Sequence, residues 1–198
     1  MIMSRISMNV LHPSARQALR DRNDMHRNLS IAIGENFIYR VFDCRNKIEI
    51  LVISKNVPDE AELSKRGYGL ISFRDMTPLK TLYKEGSVFA FDLLASPARK
   101  IKREGSKNDK RVFLKTPEER KNWLTRQGEK YGFEILSGVE SAEKSSFLVN
   151  RNSGTFWFTG VKFEGFLRIT DANLFWKAWE EGIGPEKAYG MGLLVVRR

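Results

Sequence analysis

Apolar positions recur along the chain with two periods, every second residue in some runs and every third or fourth in others, and their succession predicts the element order. Met1 to Val10 alternate loosely and read as a first strand, which Pro13 and Ser14 end; a helix follows. Between Asn23 and Ile33 the apolar residues Met25, Leu29, Ala32 and Ile33 fall at helical spacing and define one buried stripe, closed by Gly34. Phe37 to Phe42 and Lys47 to Ile53 are strand-forming runs separated by Asp43, Cys44, Arg45 and Asn46, the pattern of a hairpin. Pro58, Asp59 and Glu60 open a short helical segment reaching Lys65, and a strand returns around Leu70 to Phe73. The order is β-α-β-β-α-β, that of a ferredoxin-like module.

A second cycle begins after Ser87 with the strand candidate VFAFDLLAS, and the loop from Arg99 to Arg111 leads to a sharply marked helix. Thr116 is placed to cap it, Pro117 fits the first helical position, and Glu119 completes a T-x-x-E capping box. Trp123 and Leu124 supply its buried face, and Gly128 and Gly132 bracket its exit. Phe133 to Val139 read as the next strand, and Phe147 to Asn150 with Thr155 to Ile169 as a hairpin turning at Asn152, Ser153 and Gly154. Asp171 caps a last helix with the apolar stripe Leu174, Phe175, Ala178 and Trp179, and Leu193 to Val196 form a closing strand. The expected fold is therefore α+β, two tandem ferredoxin-like (βαββαβ) domains over 1–80 and 87–198.

The segment GIGPEKAYGMG before the closing strand holds Gly182, Gly184, Gly190 and Gly192 around Lys187. Without Cβ atoms, backbone N–H groups can come close to a phosphate, so the loop is either an anion cradle or a tight packing turn. The spacing matches neither a dinucleotide fingerprint nor a Walker loop, so a nucleotide-cofactor fold gains no support.

A hydrophobic content of 41% suffices for a packed core, and a net charge of +10 points to a polyanionic partner, with nucleic acid the leading class. Cys44 is the single cysteine, so no intrachain disulfide forms, and two histidines are too few for a typical zinc site. The chain carries no metal motif and no cofactor fingerprint, no stretch long enough to span a membrane, and no signal peptide in MIMSRISMNVLHPSAR, so a cytoplasmic location is expected. The cations gather in three places. RKIKREGSKNDKR supplies Arg99, Lys100, Lys102, Arg103, Lys107, Lys110 and Arg111 on an arm read as a loop, either merely solvated or phosphate-binding. Arg16, Arg20, Arg22 and Arg27 surround the first helices, and Arg151 sits near the tip of the late hairpin. These clusters would line one groove if the two modules pack side by side, a form suited to the phosphates, shape and 2′-hydroxyls of RNA.

His26 follows Met25, at the border of the apolar stripe, where it can face a cleft. Like charge from Arg22 and Arg27 would keep its imidazole neutral and able to accept a proton near pH 7. That suits a general base taking a 2′-hydroxyl proton, and the alternative is a helix-edge histidine making an ordinary hydrogen bond. His12, beside Pro13, has less to recommend it.

The start MSRISMN, the segment DMHRNLSIAI, the phrase FDLLASPARKI, the helix KRVFLKTPEERKNWL, the strand VKFEGFLRITD and the ending GIGPEKAYGMGLLVV together resemble the CasE family of CRISPR repeat-processing endoribonucleases from type I-E systems. The resemblance spans almost the whole chain. It implies a tandem ferredoxin-like fold that binds the stem-loop of a CRISPR repeat and cuts at the 3′ base of the hairpin without a metal. It implies too that the product guide RNA is retained and that the protein joins the other subunits of the Cascade complex. By position, His26 is implied as the catalytic residue, Arg27 as a scissile-phosphate contact, Arg151 as a stem contact, and Arg99 to Arg103 as groove contacts.

Two positions depart from the family pattern. Many members carry a tyrosine three residues before the histidine, where this chain has Asn23, and some carry a cation five residues after it, where this chain has Ile31. Asparagine can orient a phosphate or the imidazole but is neither acid nor base at ordinary pH. The sequence thus leaves two readings, a hairpin-specific endoribonuclease and an RNA-holding Cascade subunit with slow or absent cleavage, with a phosphate-binding enzyme for small nucleotides far behind. Tyr39 is a candidate to supply the missing hydroxyl.

Overall fold

Strand β1 (Ile2–Met8) buries Ser4, Ile6 and Met8 while Arg5 and Ser7 face out, and it pairs on both sides, which makes it a central strand. The structure, a computed structural model, describes residues 1–44, 47–102, 110–151 and 154–198. Helices α1 (Pro13–Arg20) and α2 (Arg22–Ile33) follow, then the hairpin of β2 (Ile38–Cys44) and β3 (Lys47–Ser54), the short helix α3 (Glu60–Ser64) and β4 (Tyr68–Asp75). The four strands form one antiparallel sheet in the order β2-β3-β1-β4. Met25, Leu29, Ala32 and Ile33 of α2 pack with Ile6, Ile50, Val52 and Leu63 into a single core, as the helical stripe predicts.

The second half repeats the order. Strand β5 (Val88–Ala95) buries Phe89, Phe91, Leu93 and Ala95 in strict alternation. After it come β6 (Ala98–Ile101), β7 (Lys110–Phe113), helix α4 (Pro117–Lys130), the long strands β8 (Phe133–Arg151) and β9 (Gly154–Ile169), helix α5 (Ala172–Glu181) and β10 (Leu194–Arg197). The sheet order β10-β5-β9-β8 packs against α4 and α5 through Phe91, Trp123, Phe163, Phe175 and Trp179. The capping box is complete, with the Thr116 hydroxyl accepting from the Glu119 amide and Glu119 reaching back to the Thr116 amide. Asp171 caps α5 by accepting from Asn173 and Leu174. The tandem ferredoxin-like reading of the sequence is thus met.

Three local expectations are corrected. The Arg99 to Arg111 arm is not a plain loop, because its ends pair as β6 and β7, Ala98 with Phe113 through Ile101 with Lys110; β-forming Ile101, Val112 and Phe113 draw the basic segment into a ribbon. The strands expected at Phe133 to Val139 and Phe147 to Asn150 are one continuous β8, which absorbs the weak pattern between them through register shifts against β9. On α5, Leu174 is exposed and Trp176 takes its place in the core, since the stripe turns one residue further around the helix.

The two sheets meet across a small apolar seam of Ile38, Ile53 and Leu193. Within this junction the Arg40 guanidinium of β2 donates to the Asp92 carboxylate of β5 at 2.5 Å, and Lys162 approaches the same carboxylate at 3.6 Å.

Candidate functional site

Asp21 separates α1 from α2 and sets where the second helix starts. Its side chain accepts from the Asn23 amide at 2.9 Å, satisfying one of the free donors of the first turn. One turn on, Asn23, His26, Arg27, Ser30 and Ile31 line an open surface depression that Gly34 and Glu35 close at the helix end. Here the His26 imidazole stacks on Phe37, with ring centroids 5.1 Å apart and planes inclined by 22°. Its Nδ1 is buried and makes no hydrogen bond. Burial holds the imidazole below its ordinary value of 6.5, and the Arg151 guanidinium adds to the effect.

The charge that keeps His26 neutral thus comes from a strand far along the chain, and the expectation that Arg22 and Arg27 do so is corrected. Arg27 is exposed and paired with Asp24 at 2.6 Å, which offsets its charge. Arg22 turns into the junction between the halves, its guanidinium 4.8 Å from the Phe147 ring of β8, with one terminal nitrogen buried and unpartnered. Desolvation lowers its pKa from the ordinary guanidinium value.

Arg151 ends β8 on the other side of the junction. It donates to the Tyr189 hydroxyl and lies 5.5 Å from the Phe156 ring and 5.3 Å from that of Tyr189. Beside it, Asn150 donates to Asp21 twice, from its backbone amide at 3.2 Å and its side-chain nitrogen at 2.9 Å. Tyr39 does not replace the hydroxyl absent at Asn23. It is fully buried and donates to the Ala188 carbonyl at 3.1 Å, and burial raises its pKa well above the ordinary tyrosine value.

The glycine-rich segment links this site to a second cationic surface. Its amides turn inward, from Gly182 to Ala178, from Gly190 to Lys187 and from Gly192 to Leu94, so these three are not the outward phosphate cradle the sequence left open. Glycine is required for packing instead. Gly190, with φ 83°, would bring a Cβ within 3.1 Å of the Tyr39 ring, and Gly192, with φ 85°, one within 2.6 Å of the Ile183 carbonyl oxygen. Gly184 lies with Lys187 in a cleft where Arg99, Lys100 and Arg111 of the β6–β7 ribbon face Lys130 of α4 beside Trp123 and Tyr131. Burial brings the Lys187 ammonium below its ordinary range, with Lys130 adding to this against the pull of Glu181. Lys102 is exposed just past β6, Lys110 pairs through its backbone with Ile101, and Arg103 lies outside the described residues.

Of the sequence-nominated residues, the fold brings Asn23, His26 and Arg27 to one depression, with Arg151 near enough to act on the His26 charge, and Arg99, Lys100, Arg111 and Lys187 to another cleft. Phe37, Asp21 and Tyr189 escaped the sequence reading. Asp21 carried a legible signal, an N-cap residue just before a helical stripe; the other two are placed only by tertiary contacts. Among the described residues, no helix is long and apolar enough to cross a membrane.

Two ferredoxin-like halves, a neutral histidine where they meet and cations across the adjoining surface define a tandem ferredoxin-like protein fitted to a polyanion. The family model described as CRISPR associated protein matches residues 1–198, and the chain belongs to that family, in its CasE branch. It is 31% identical over 208 residues to the CRISPR-associated endoribonuclease Cse3 of Thermus thermophilus, covering 94% of this chain and 96% of that one. The fold matches Cse3 endoribonuclease bound to a 19-nucleotide RNA, with a TM-score of 0.86, 27% identity and complete coverage of both chains. It also matches Thermus thermophilus Cse3 bound to an RNA representing a pre-cleavage complex, with a TM-score of 0.82, 27% identity and complete coverage of both.

Proposed function

We propose that this protein is a CRISPR-associated endoribonuclease that binds the repeat stem-loop of precursor CRISPR RNA and cleaves at the 3′ base of the hairpin without a metal, retaining the guide RNA within Cascade. The observation that carries this reading is the His26 imidazole, held neutral by burial against Phe37 and by Arg151 at the edge of a cationic face. Residues 1–80 bring the histidine, and 87–198 the basic ribbon and late hairpin. The Cse3 relatives bound to RNA, one in a pre-cleavage state, support the substrate class.

With Nδ1 buried, Nε2 is the ring nitrogen left to meet the RNA. It takes the proton of the 2′-hydroxyl as that oxygen attacks the adjacent phosphorus. The bond from phosphorus to the 5′-oxygen breaks, leaving a 2′,3′-cyclic phosphate, and the departing oxygen gains a proton to become a 5′-hydroxyl. Arg151 and Arg27 offer guanidinium donors for the charge that grows on the phosphate oxygens. Arg99, Lys100, Lys102, Arg111 and Lys187 hold the backbone of the stem. In EDTA, the cognate repeat hairpin is expected to be cut by the wild-type protein and left whole by His26→Ala; uncut RNA with wild type, or unchanged cutting by the variant, overturns the reading.

A second reading rests on Asn23 and Ile31, which line the His26 depression without acid, base or charge. In it the fold holds the hairpin and organises Cascade while cleavage is slow.

A further inference from the structure

The two groups assigned to cleavage stand on different halves of the molecule. His26 rides on α2, Arg151 ends β8, and a reacting phosphate must meet both at once. Side-chain stacking and a two-sheet seam allow small sliding motions, whereas a buried carboxylate with several donors fixes both direction and distance.

Asp21 is such a carboxylate, only 4% exposed. One oxygen accepts from the Asn23 amide at 2.9 Å and from the Asn150 amide at 3.2 Å, and the other accepts from the Asn150 side chain at 2.9 Å. The Asn150 side-chain oxygen accepts in turn from the Thr155 hydroxyl at 2.6 Å across the hairpin, and the acceptor-only Asp21 carboxylate fixes the orientation of the amide by demanding its NH₂. Asp21 thus caps the helix that carries His26 and grips the residue next to Arg151. The neighbouring Arg22–Phe147 contact joins the same helix and strand but has no comparable directionality.

We propose that Asp21 is a positioning residue of the cleavage site, a buried clamp that holds the His26 helix and the Arg151 strand in reacting register. This rests on the His26 endoribonuclease reading. Asn caps helices about as well as Asp, so Asp21→Asn leaves α2 intact while setting its new NH₂ against that of Asn150. Rotating the Asn150 amide relieves this, because its oxygen then accepts from the new NH₂ while its own NH₂ donates to the Thr155 hydroxyl, whereas Asn150→Asp sets two acceptor-only carboxylates face to face with no such relief. The reciprocal pair Asp21→Asn/Asn150→Asp restores every bond, because the new amide donates to the new carboxylate, which still accepts from Thr155.

The test measures single-turnover cleavage at saturating protein together with affinity for a hairpin carrying a 2′-deoxy substitution at the cut. A misplacement of the reacting groups by about 1 Å costs up to about 100-fold, so Asn150→Asp and Asn150→Ala are each expected to slow cleavage by at least about 10-fold, and Asp21→Asn alone far less. Hairpin affinity of Asn150→Ala and of the reciprocal pair, which leave the net charge unchanged, is expected to stay within about twofold, since the phosphate-contacting cations are untouched. The reciprocal pair is expected to recover most of the rate. Wild-type rates in both Asn150 variants, or a reciprocal pair as slow as Asn150→Asp, overturn the clamp; Asn150→Ala keeps the Asp21 cap and adds no charge, so a folding defect in Asn150→Asp does not shield the proposal. His26→Ala runs alongside: if it abolishes cleavage and the clamp variants do not slow it, only the clamp falls, whereas undiminished cleavage by His26→Ala removes the catalytic reading itself.

Discussion

The His26 imidazole lies against the Phe37 ring with centroids 5.1 Å apart, and this stacking sets its direction and shields one of its faces. Removing water from one face disfavours imidazolium, and the Arg151 charge disfavours it further. Asp24 on the same helix is already paired with Arg27, so it offers little counter-charge. The folded pKa is therefore below the unfolded value of 6.5. A base must be unprotonated, so the acid limb of the cleavage profile is expected below pH 6.5, and Arg151→Gln is expected to move it upward by removing the smaller of the two causes. The same shift has a stability sign. The unfolded chain takes up the proton first, so the contribution is full above the unfolded pKa and is lost as pH falls through the folded one. Single-turnover rates measured across pH on wild type and variant check the first statement, and urea melts over the same range check the second.

Asn23 precedes His26 by one helical turn and lines the same depression, where side chains three residues apart are neighbours. A tyrosine there would present a phenolic hydroxyl beside the imidazole. Its backbone amide still donates to Asp21, so the helix start is unaffected. Asn23→Tyr is expected to raise the single-turnover rate by about 10-fold or more, within the range of one added general acid–base group. An unchanged rate means that Asn23 is not what limits cleavage, and the slow-subunit reading loses its support.

How far the sequence reached depended on whether a residue's task is local. The Thr116 capping box and the Asp171 cap were legible because each is satisfied within a few residues of chain, and the stripe Met25, Leu29, Ala32 and Ile33 because its spacing is that of one helix face, although its packing partners lie on distant strands. The order of strands followed from these. His26 was legible as a border position, but its neutral state was assigned to the wrong arginines, because Arg151 approaches only after the halves dock. Periodicity also could not show that Tyr39 is spent on Ala188, or that the glycine amides turn inward, since both depend on long-range packing. The basic arm read as a loop because charge masked the alternation of Ile101, Val112 and Phe113.

The pair formed by Arg40 and Asp92 joins the two sheets at 2.5 Å, with side chains only 6% and 15% exposed. Asp92→Ala leaves a buried guanidinium without its carboxylate, while Lys162 keeps Glu164 at 2.7 Å. Breaking one side of such a pair typically costs about 3–5 kcal/mol, most of it from the uncompensated charge. Asp92→Ala is expected to lose about that much in urea unfolding, and the reverse defect, Arg40→Met, less, because Lys162 still faces the carboxylate. Equal losses in the two variants would mean that Lys162 does not neutralise Asp92.

The ribbon cations make a different kind of statement, since Arg99, Lys100 and Arg111 are exposed and line a cleft with Lys130 and Lys187. Among the described residues Arg111 faces Glu186 at 4.0 Å, too distant and too solvated to hold it away from RNA. If each cation displaces a counterion from a stem phosphate, log affinity falls with log salt by about 0.9 per contact in a duplex. Replacing all three by glutamine is expected to weaken hairpin binding at low salt and flatten the salt slope by about 2 to 3, without changing the single-turnover rate once the protein is saturating. A reduced affinity with an unchanged slope would assign these side chains to base edges instead, and an unchanged affinity would place the stem elsewhere. The two surfaces are thereby separable in one experiment, because the ribbon governs how much RNA is bound and the His26 face how fast bound RNA is cut.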